Sequence, residues 1–96
     1  MNTDTATLVA FMRPLKGWWK ASEISNVYYL RKGIRLSDRK IRALAAESGG
    51  KLVSAPGGKG YKHRANCTQA EIAEAASRLR SQAKAMNRKA RLIERA

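Results

Sequence analysis

The residues best suited to chemistry in this sequence are basic, and half of them lie in one segment. Residues 31–64 contain ten of the 20 lysines and arginines but only two of the seven acidic side chains. Lysine and arginine bind phosphate groups, and a concentrated positive charge is typical of a protein that binds a polyanion, most often nucleic acid. We therefore expect a nucleic-acid partner. The alternative is a basic soluble domain whose charges are simply solvated.

The composition limits the architecture that positions these residues. The chain has 96 residues, a hydrophobic share of 44% and a net charge of +13, which suggests one domain with a single modest core. A single cysteine, Cys67, excludes an intrachain disulfide framework and suits a reducing compartment. No segment has the length of a membrane span, and the first residues lack the features of a secretory signal. We expect a cytoplasmic protein with no membrane partner.

Hydrophobic periodicity and turn residues predict an α+β fold that is mainly α-helical. The patterns predict helices over residues 3–15, 23–32 and 38–48, a short extended piece at Trp18–Trp19, and strands over 51–55 and 61–65. Thr5 or Thr3 is the predicted N-cap of the first helix, and Ser22 and Ser37 are those of the second and third helices. A long last helix follows Cys67 and begins with a capping box formed by Thr68 and Glu71.

One face of the third predicted helix carries residues that can read base pairs. The spacing places Ile41, Leu44 and Ala45 on the buried face. The opposite face holds a stripe spaced i, i+3, i+4 and i+7, formed by Arg39, Arg42, Ala43 and Ala46. Arginine pairs bidentately with guanine edges, and alanine can contact a thymine methyl. Lys40 on the flank and Ser37 at the helix start are placed for phosphate. The alternative is a solvated helix face.

Two helices joined by a tight turn and followed by a β-hairpin resemble the winged helix-turn-helix family. The resemblance covers about residues 3–66 and rests on the element order and on the segments GWWKASEIS, LSDRKIRALAAESGG and KLVSAPGGKGYKHR. It implies that the helix after the turn enters the major groove of DNA, while the hairpin, or wing, lies against a groove or the backbone. The closing RLRSQAKAMNRKARLIERA resembles the tails of small DNA-binding proteins encoded by bacteriophages and prophages.

The predicted wing supplies a second set of basic candidates. Gly57, Gly58 and Gly60 allow its tip to bend and to approach a sugar-phosphate backbone closely. The residues expected to contact DNA from the wing are Lys59, Lys62, His63 and Arg64. The alternative is a flexible hairpin with solvated lysines.

The remaining patterns argue against catalysis, a metal site or a cofactor. A zinc site needs three or four ligands, and one cysteine with one histidine does not supply them. The seven carboxylates are scattered along the chain, so the clustered acids of a metal-dependent nuclease are not expected. The GGKG tip lacks the rest of the phosphate-binding loop motif and precedes a strand rather than a helix.

The last predicted helix carries an apolar seam. Apolar residues recur at alternating spacings of four and three, as in a coiled coil, at Ile72, Ala76, Leu79, Ala83, Met86, Ala90 and Ile93. A helix of this length extends about 40 Å, farther than so small a domain. We expect its distal part to pair with a second copy or another protein. An antiparallel homodimer is favoured because a parallel pair would place the basic residues near its end side by side.

These expectations define two regions and a function. Residues 1–67 form the predicted DNA-binding domain, and residues 68–96 form a helix for dimerisation or partner binding. We expect a non-enzymatic, sequence-preferring double-stranded DNA-binding protein, acting in transcription regulation or in support of replication in a phage or prophage setting. The alternatives are a protein-interaction module that inhibits a nucleic-acid enzyme and an RNA-binding protein.

Overall fold

A computed structural model describes residues 2–95, without the side chain of Pro56, and it consists mainly of α-helix. The helices are α1 (Thr3–Met12), α2 (Ala21–Lys32), α3 (Asp38–Glu47) and α4 (Gln69–Arg95). The strands β1 (Leu52–Ser54) and β2 (Tyr61–His63) form a two-stranded antiparallel sheet. The predicted order of helices and hairpin is confirmed, as is the mainly α-helical α+β class. Residues 1 and 96, the outer ends of the two predicted regions, lie outside the described residues.

Two of the predicted helix starts are confirmed in atomic detail. The Ser37 hydroxyl accepts a hydrogen bond of 3.0 Å from the Lys40 backbone N–H at the start of α3. At the start of α4, Thr68 Oγ1 accepts from the Glu71 N–H at 3.1 Å, and the Glu71 carboxylate accepts from the Thr68 N–H at 2.8 Å. Each bond satisfies a backbone donor that the first helical turn leaves without an intrahelical partner.

The starts of α1 and α2 differ from the prediction. Asn2, rather than a threonine, caps α1, because its side-chain oxygen accepts from the Thr5 N–H at 2.8 Å. The predicted Ser22 cap is wrong: α2 begins at Ala21, and the Glu23 carboxylate accepts from the Lys20 N–H at 2.9 Å. A glutamate in the first turn can thus accept a hydrogen bond from the backbone N–H of the residue before the helix, without a serine or threonine cap.

The core lies where the first three helices meet β1. Its fully buried hydrophobic side chains are Leu8, Met12, Ile24, Ile41 and Leu44, and Leu52 joins them from β1. Phe11 and Tyr28 meet edge to face with ring centroids 5.0 Å apart. Leu30 of α2 is hydrophobic but 80% exposed. It follows Ile24 by six residues, which places it about 120° away around the helix.

The hairpin is short, and other segments hold its outer edge. Trp19 pairs with Tyr61 in an antiparallel bridge: the Trp19 N–H donates to the Tyr61 carbonyl at 2.9 Å, and the Tyr61 N–H donates back at 2.7 Å. The extended piece predicted at Trp18–Trp19 therefore adds a third segment beside β2. This pair ties the chain entering α2 directly to the hairpin.

The two faces of the hairpin meet different neighbours. Side chains alternate between faces along a strand, and Leu52 and Tyr61 face the core. Val53 and Lys62, which are partners in the strand register, therefore face the other side, where α4 packs. Arg78 of α4 donates from Nη2 to the Ser54 carbonyl at 2.6 Å. The first turns of α4 thus cover the face of the hairpin that the core does not.

The close approach of Trp19 to the hairpin requires a glycine at position 60. Gly60 has a φ of +110°, and a Cβ there would lie 2.0 Å from the Trp19 carbonyl oxygen. Gly58 also has a positive φ, +73°, but a Cβ there would meet nothing within 4 Å. We predict that Gly58→Ala lowers the free energy of unfolding by about 1–2 kcal/mol, the cost of the left-handed conformation. Gly60→Ala should cost more, because the hairpin must also separate from Trp19.

Urea denaturation of the two alanine variants measures this difference. Gly58→Ala is the matched control, since it introduces the same side chain into the same loop. Equal losses for both variants would contradict the role assigned to the contact between Trp19 and Gly60.

Candidate nucleic-acid interface

A shallow open groove lies between α3 and the tip of the hairpin. It has a volume of about 250 Å³. The N-terminal ends of α2 and α3 form one side, and the hairpin forms the other. Its lining residues are Lys20, Ala21, Ser22, Asp38, Arg42, Ser54, Ala55, Gly58, Gly60 and Tyr61. The groove brings together the helix and the hairpin that sequence analysis selected separately.

The exposed face of α3 is the one that the residue spacing predicted. Ile41, Leu44 and Ala45 are buried against the core. The side chains of the predicted stripe are all exposed, and so is the flanking lysine: Arg39, Lys40, Arg42, Ala43 and Ala46. Because the buried residues fix the rotation of α3, the two arginines must extend from the side of the helix away from the core.

The hairpin contributes fewer basic groups to this region than predicted. Lys59 is exposed at the tip, between two glycines that line the groove. Arg64 is exposed at the base of the hairpin, where its N–H donates to the Lys51 carbonyl at 2.8 Å. The strand β2 lies between Lys59 and Arg64, and Arg64 is not among the residues that line the groove. The structure therefore keeps Arg64 apart from the groove.

Lys62 and His63 do not lie on the candidate interface. The Lys62 side chain is only 10% exposed, and its Nζ lies 2.9 Å from Glu71 Oε2 and 4.4 Å from the centroid of the Trp18 ring. His63 is also buried, and its Nδ1 accepts a hydrogen bond of 3.0 Å from the Ala65 N–H. The prediction treated the hairpin as open to solvent, whereas α4 covers the face that carries Lys62, and His63 lies on the opposite face beside Leu52 of the core.

The contact with Lys62 also changes the pKa of the Glu71 carboxyl group. The hydrogen bond from Lys62 and the backbone hydrogen bond from Thr68 hold the pKa of Glu71 below its usual range. The carboxylate therefore stays ionised at neutral pH, and the lysine that it binds is not available for phosphate. Burial, with a contribution from the nearby Arg13 and Lys51, lowers the pKa of His63. His63 is accordingly neutral at neutral pH and contributes no charge to the surface.

Two charged groups in the groove were not selected from the sequence. Lys20 lines the groove because the pairing of Trp19 with Tyr61 brings the start of α2 to the hairpin. Single-sequence patterns contain no signal for that pairing. Asp38, at the first position of α3, lines the groove beside Arg42. A carboxylate there stabilises the positive end of α3, and it places one negative group within a basic surface.

The seam residues of α4 lie apart from the groove. Ile72 and Ala76 are half-buried beside the body of the protein. From Leu79 to Arg95, every residue of α4 is exposed. Among them, Met86 and Ile93 are 66% and 76% exposed.

Other kinds of site find little support in the described part of the chain. Among residues 2–95, no group of three or more histidine, cysteine or acidic side chains could hold a metal ion. The Cys67 thiol is half-buried, and burial raises its pKa. None of the helices in this range is both long enough and apolar enough to cross a membrane.

No protein-family model, curated protein or solved structure matches this chain.

Proposed function

We propose that this protein binds double-stranded DNA with a sequence preference, using α3 as the reading helix and the hairpin tip as a backbone contact. The observation that carries the proposal is the groove itself: Arg42, from the exposed arginine face of α3, lines the same depression as Gly58 and Gly60 of the hairpin tip. The order of α1, the Trp19 bridge, α2, α3 and the hairpin resembles a winged helix-turn-helix. In that family, the helix after the turn enters the major groove of DNA, and the wing lies against a groove or the backbone.

The geometry of α3 suits entry into the major groove. A helix with its side chains is about 10–12 Å wide, close to the width of the major groove of B-DNA. Arg39 and Arg42 lie one turn apart on its exposed face and can reach guanine edges. Ala43 and Ala46 lie on the same face and allow the helix backbone to approach the bases. This set would carry the sequence preference.

The surrounding groups are suited to phosphate, which positions the protein but carries little sequence information. Lys40 lies on the flank of α3, and Lys59 lies at the hairpin tip. Lys20 precedes the first turn of α2 and lines the groove, and the start of a helix favours an anion. A reading helix with phosphate contacts on both sides would hold the duplex along the groove between α3 and the tip.

Salt-dependent binding tests the electrostatic basis of this proposal. If about six phosphates are contacted, the logarithm of the association constant should fall against the logarithm of salt concentration with a slope near −5. Selection from a random duplex pool should yield a preferred site. At that site, Arg39→Ala and Arg42→Ala should each cost about 1–3 kcal/mol and relax the preference.

Lys32→Ala is the matched control for the arginine variants. Lys32 also carries an exposed positive charge, but it lies beside α1, away from the groove. A slope near zero would remove the electrostatic basis of the proposal. Specific binding to single-stranded RNA, or no preferred duplex at all, would favour the RNA-binding or protein-inhibitor alternatives.

Two lysines of the hairpin should behave in opposite ways when replaced by alanine. Lys59→Ala should leave the thermal midpoint nearly unchanged, weaken binding to all duplexes about equally and reduce the salt slope by about 1. Lys62→Ala should lower the thermal midpoint, because it removes the cation that pairs with Glu71 beneath the hairpin. The folded Lys62→Ala protein should bind DNA with unchanged affinity. The reverse pattern, measured by thermal melting and DNA titration, would place Lys62 in the interface and Lys59 outside it.

A further inference from the structure

The distal half of α4 presents an apolar seam that no other described part of the chain covers. Leu79, Met86 and Ile93 are each at least 66% exposed. All the residues around them from 79 to 95 are exposed as well. Most of the stability of helices in proteins comes from packing of an apolar face, and the distal turns have no such packing within the described chain. A partner that binds the seam would therefore stabilise the distal turns.

The pattern of large and small residues in the seam is complementary to itself in the antiparallel direction. If two copies of α4 pair about Ala83, the two alanines at this position face each other. Leu79 then faces Met86 of the second copy, and the outer layers pair Ala76 with Ala90 and Ile72 with Ile93. Every layer matches large with large or small with small. A register centred on Met86 would leave Ile72 and Ala76 without partners, so only the register about Ala83 uses the whole seam.

The charges beside the seam are compatible with this pairing. Most basic side chains of the distal half form a separate stripe, which lies roughly 125° around the helix from the seam and consists of Arg80, Lys84, Arg88, Arg91 and Arg95. In the register about Ala83, the positions that flank the seam place Gln82 opposite its own copy and Lys89 opposite Ala75. Arg80 faces Asn87. No like charges oppose each other across the seam.

The charge of the rest of the protein favours the antiparallel over the parallel direction. Residues 1–68 carry thirteen basic and four acidic side chains, a net charge of +9 for each copy. A parallel pair would place both bodies at the same end of the paired helices, where they repel each other. An antiparallel pair places them at opposite ends. A second copy of this chain therefore fits both the layer pattern and the charge distribution.

We propose that the protein forms a two-fold symmetric homodimer by antiparallel pairing of α4, with the symmetry axis between the two Ala83 residues. The pairing uses residues outside the groove between α3 and the hairpin, and it does not depend on DNA binding. It places the two α3 helices in a fixed relation to each other. If the proposed DNA binding is correct, two half-sites would be contacted at a fixed spacing.

The mass of the full chain in solution is the first test. At tens of micromolar, light scattering should give twice the 10.6 kDa of one chain. The double variant Met86→Glu with Ile93→Glu should give the mass of a single chain. Ser77→Glu with Ser81→Glu is the matched control, because it adds the same two charges at exposed positions off the seam, and it should remain a dimer. A monomeric wild type, or equal effects of both pairs, would overturn the proposal.

Cysteine crosslinking tests the register and direction independently of those variants. In a Cys67→Ser background, Ala83→Cys should form a disulfide with the same residue of the second copy. A disulfide requires close Cβ atoms, and the proposed register brings the two Cβ atoms at position 83 together. Ala76→Cys and Ala90→Cys should not crosslink alone, but they should crosslink when the two variants are mixed. Self-crosslinking of Ala90→Cys would indicate a parallel pair and overturn the antiparallel register. A dimer that forms none of these crosslinks would place the interface elsewhere.

Discussion

The candidate interface depends on one backbone contact, the pair of hydrogen bonds between Trp19 and Tyr61. Strands of three residues do not form a stable hairpin by themselves. The bridge gives β2 a second neighbour, and it brings the start of α2 against the hairpin. Gly60 makes the approach possible because it carries no Cβ where the Trp19 carbonyl lies. Without this contact, the hairpin tip would not be held opposite α3, and the groove between them would lose one wall.

The same hairpin is fixed from behind by α4. Lys62, Glu71 and Trp18 form a packed cluster on the hairpin face away from the core, and Arg78 binds the end of β1. The capping glutamate of α4 is therefore also the anchor of the hairpin. The two halves of α4 therefore have different roles. Its first turns support the hairpin wall of the groove, while its distal turns are exposed throughout and are available to bind another molecule.

The sequence was sufficient for the features that local rules determine. Hydrophobic spacing correctly separated the buried and exposed faces of α3, and capping chemistry located the starts of α3 and α4. The errors at the candidate interface have a common origin in contacts between distant segments. The sequence alone predicts that Lys62 is an exposed wing residue, because it does not show the packing of α4 on the hairpin. Lys20 becomes part of the groove only through the pairing of Trp19 with Tyr61. Neither contact leaves a signature in a single sequence.

The central claim is that α3 and the hairpin tip, rather than the basic stripe of α4, meet DNA. Amide chemical shifts of the isotope-labelled full chain, followed during titration with duplex DNA, test it most directly. The account predicts the largest changes along α3, at Lys59 and its neighbouring glycines, and at Lys20, with smaller changes beyond Leu79. Changes confined to residues 80–95, with α3 and the hairpin tip unaffected, would contradict it.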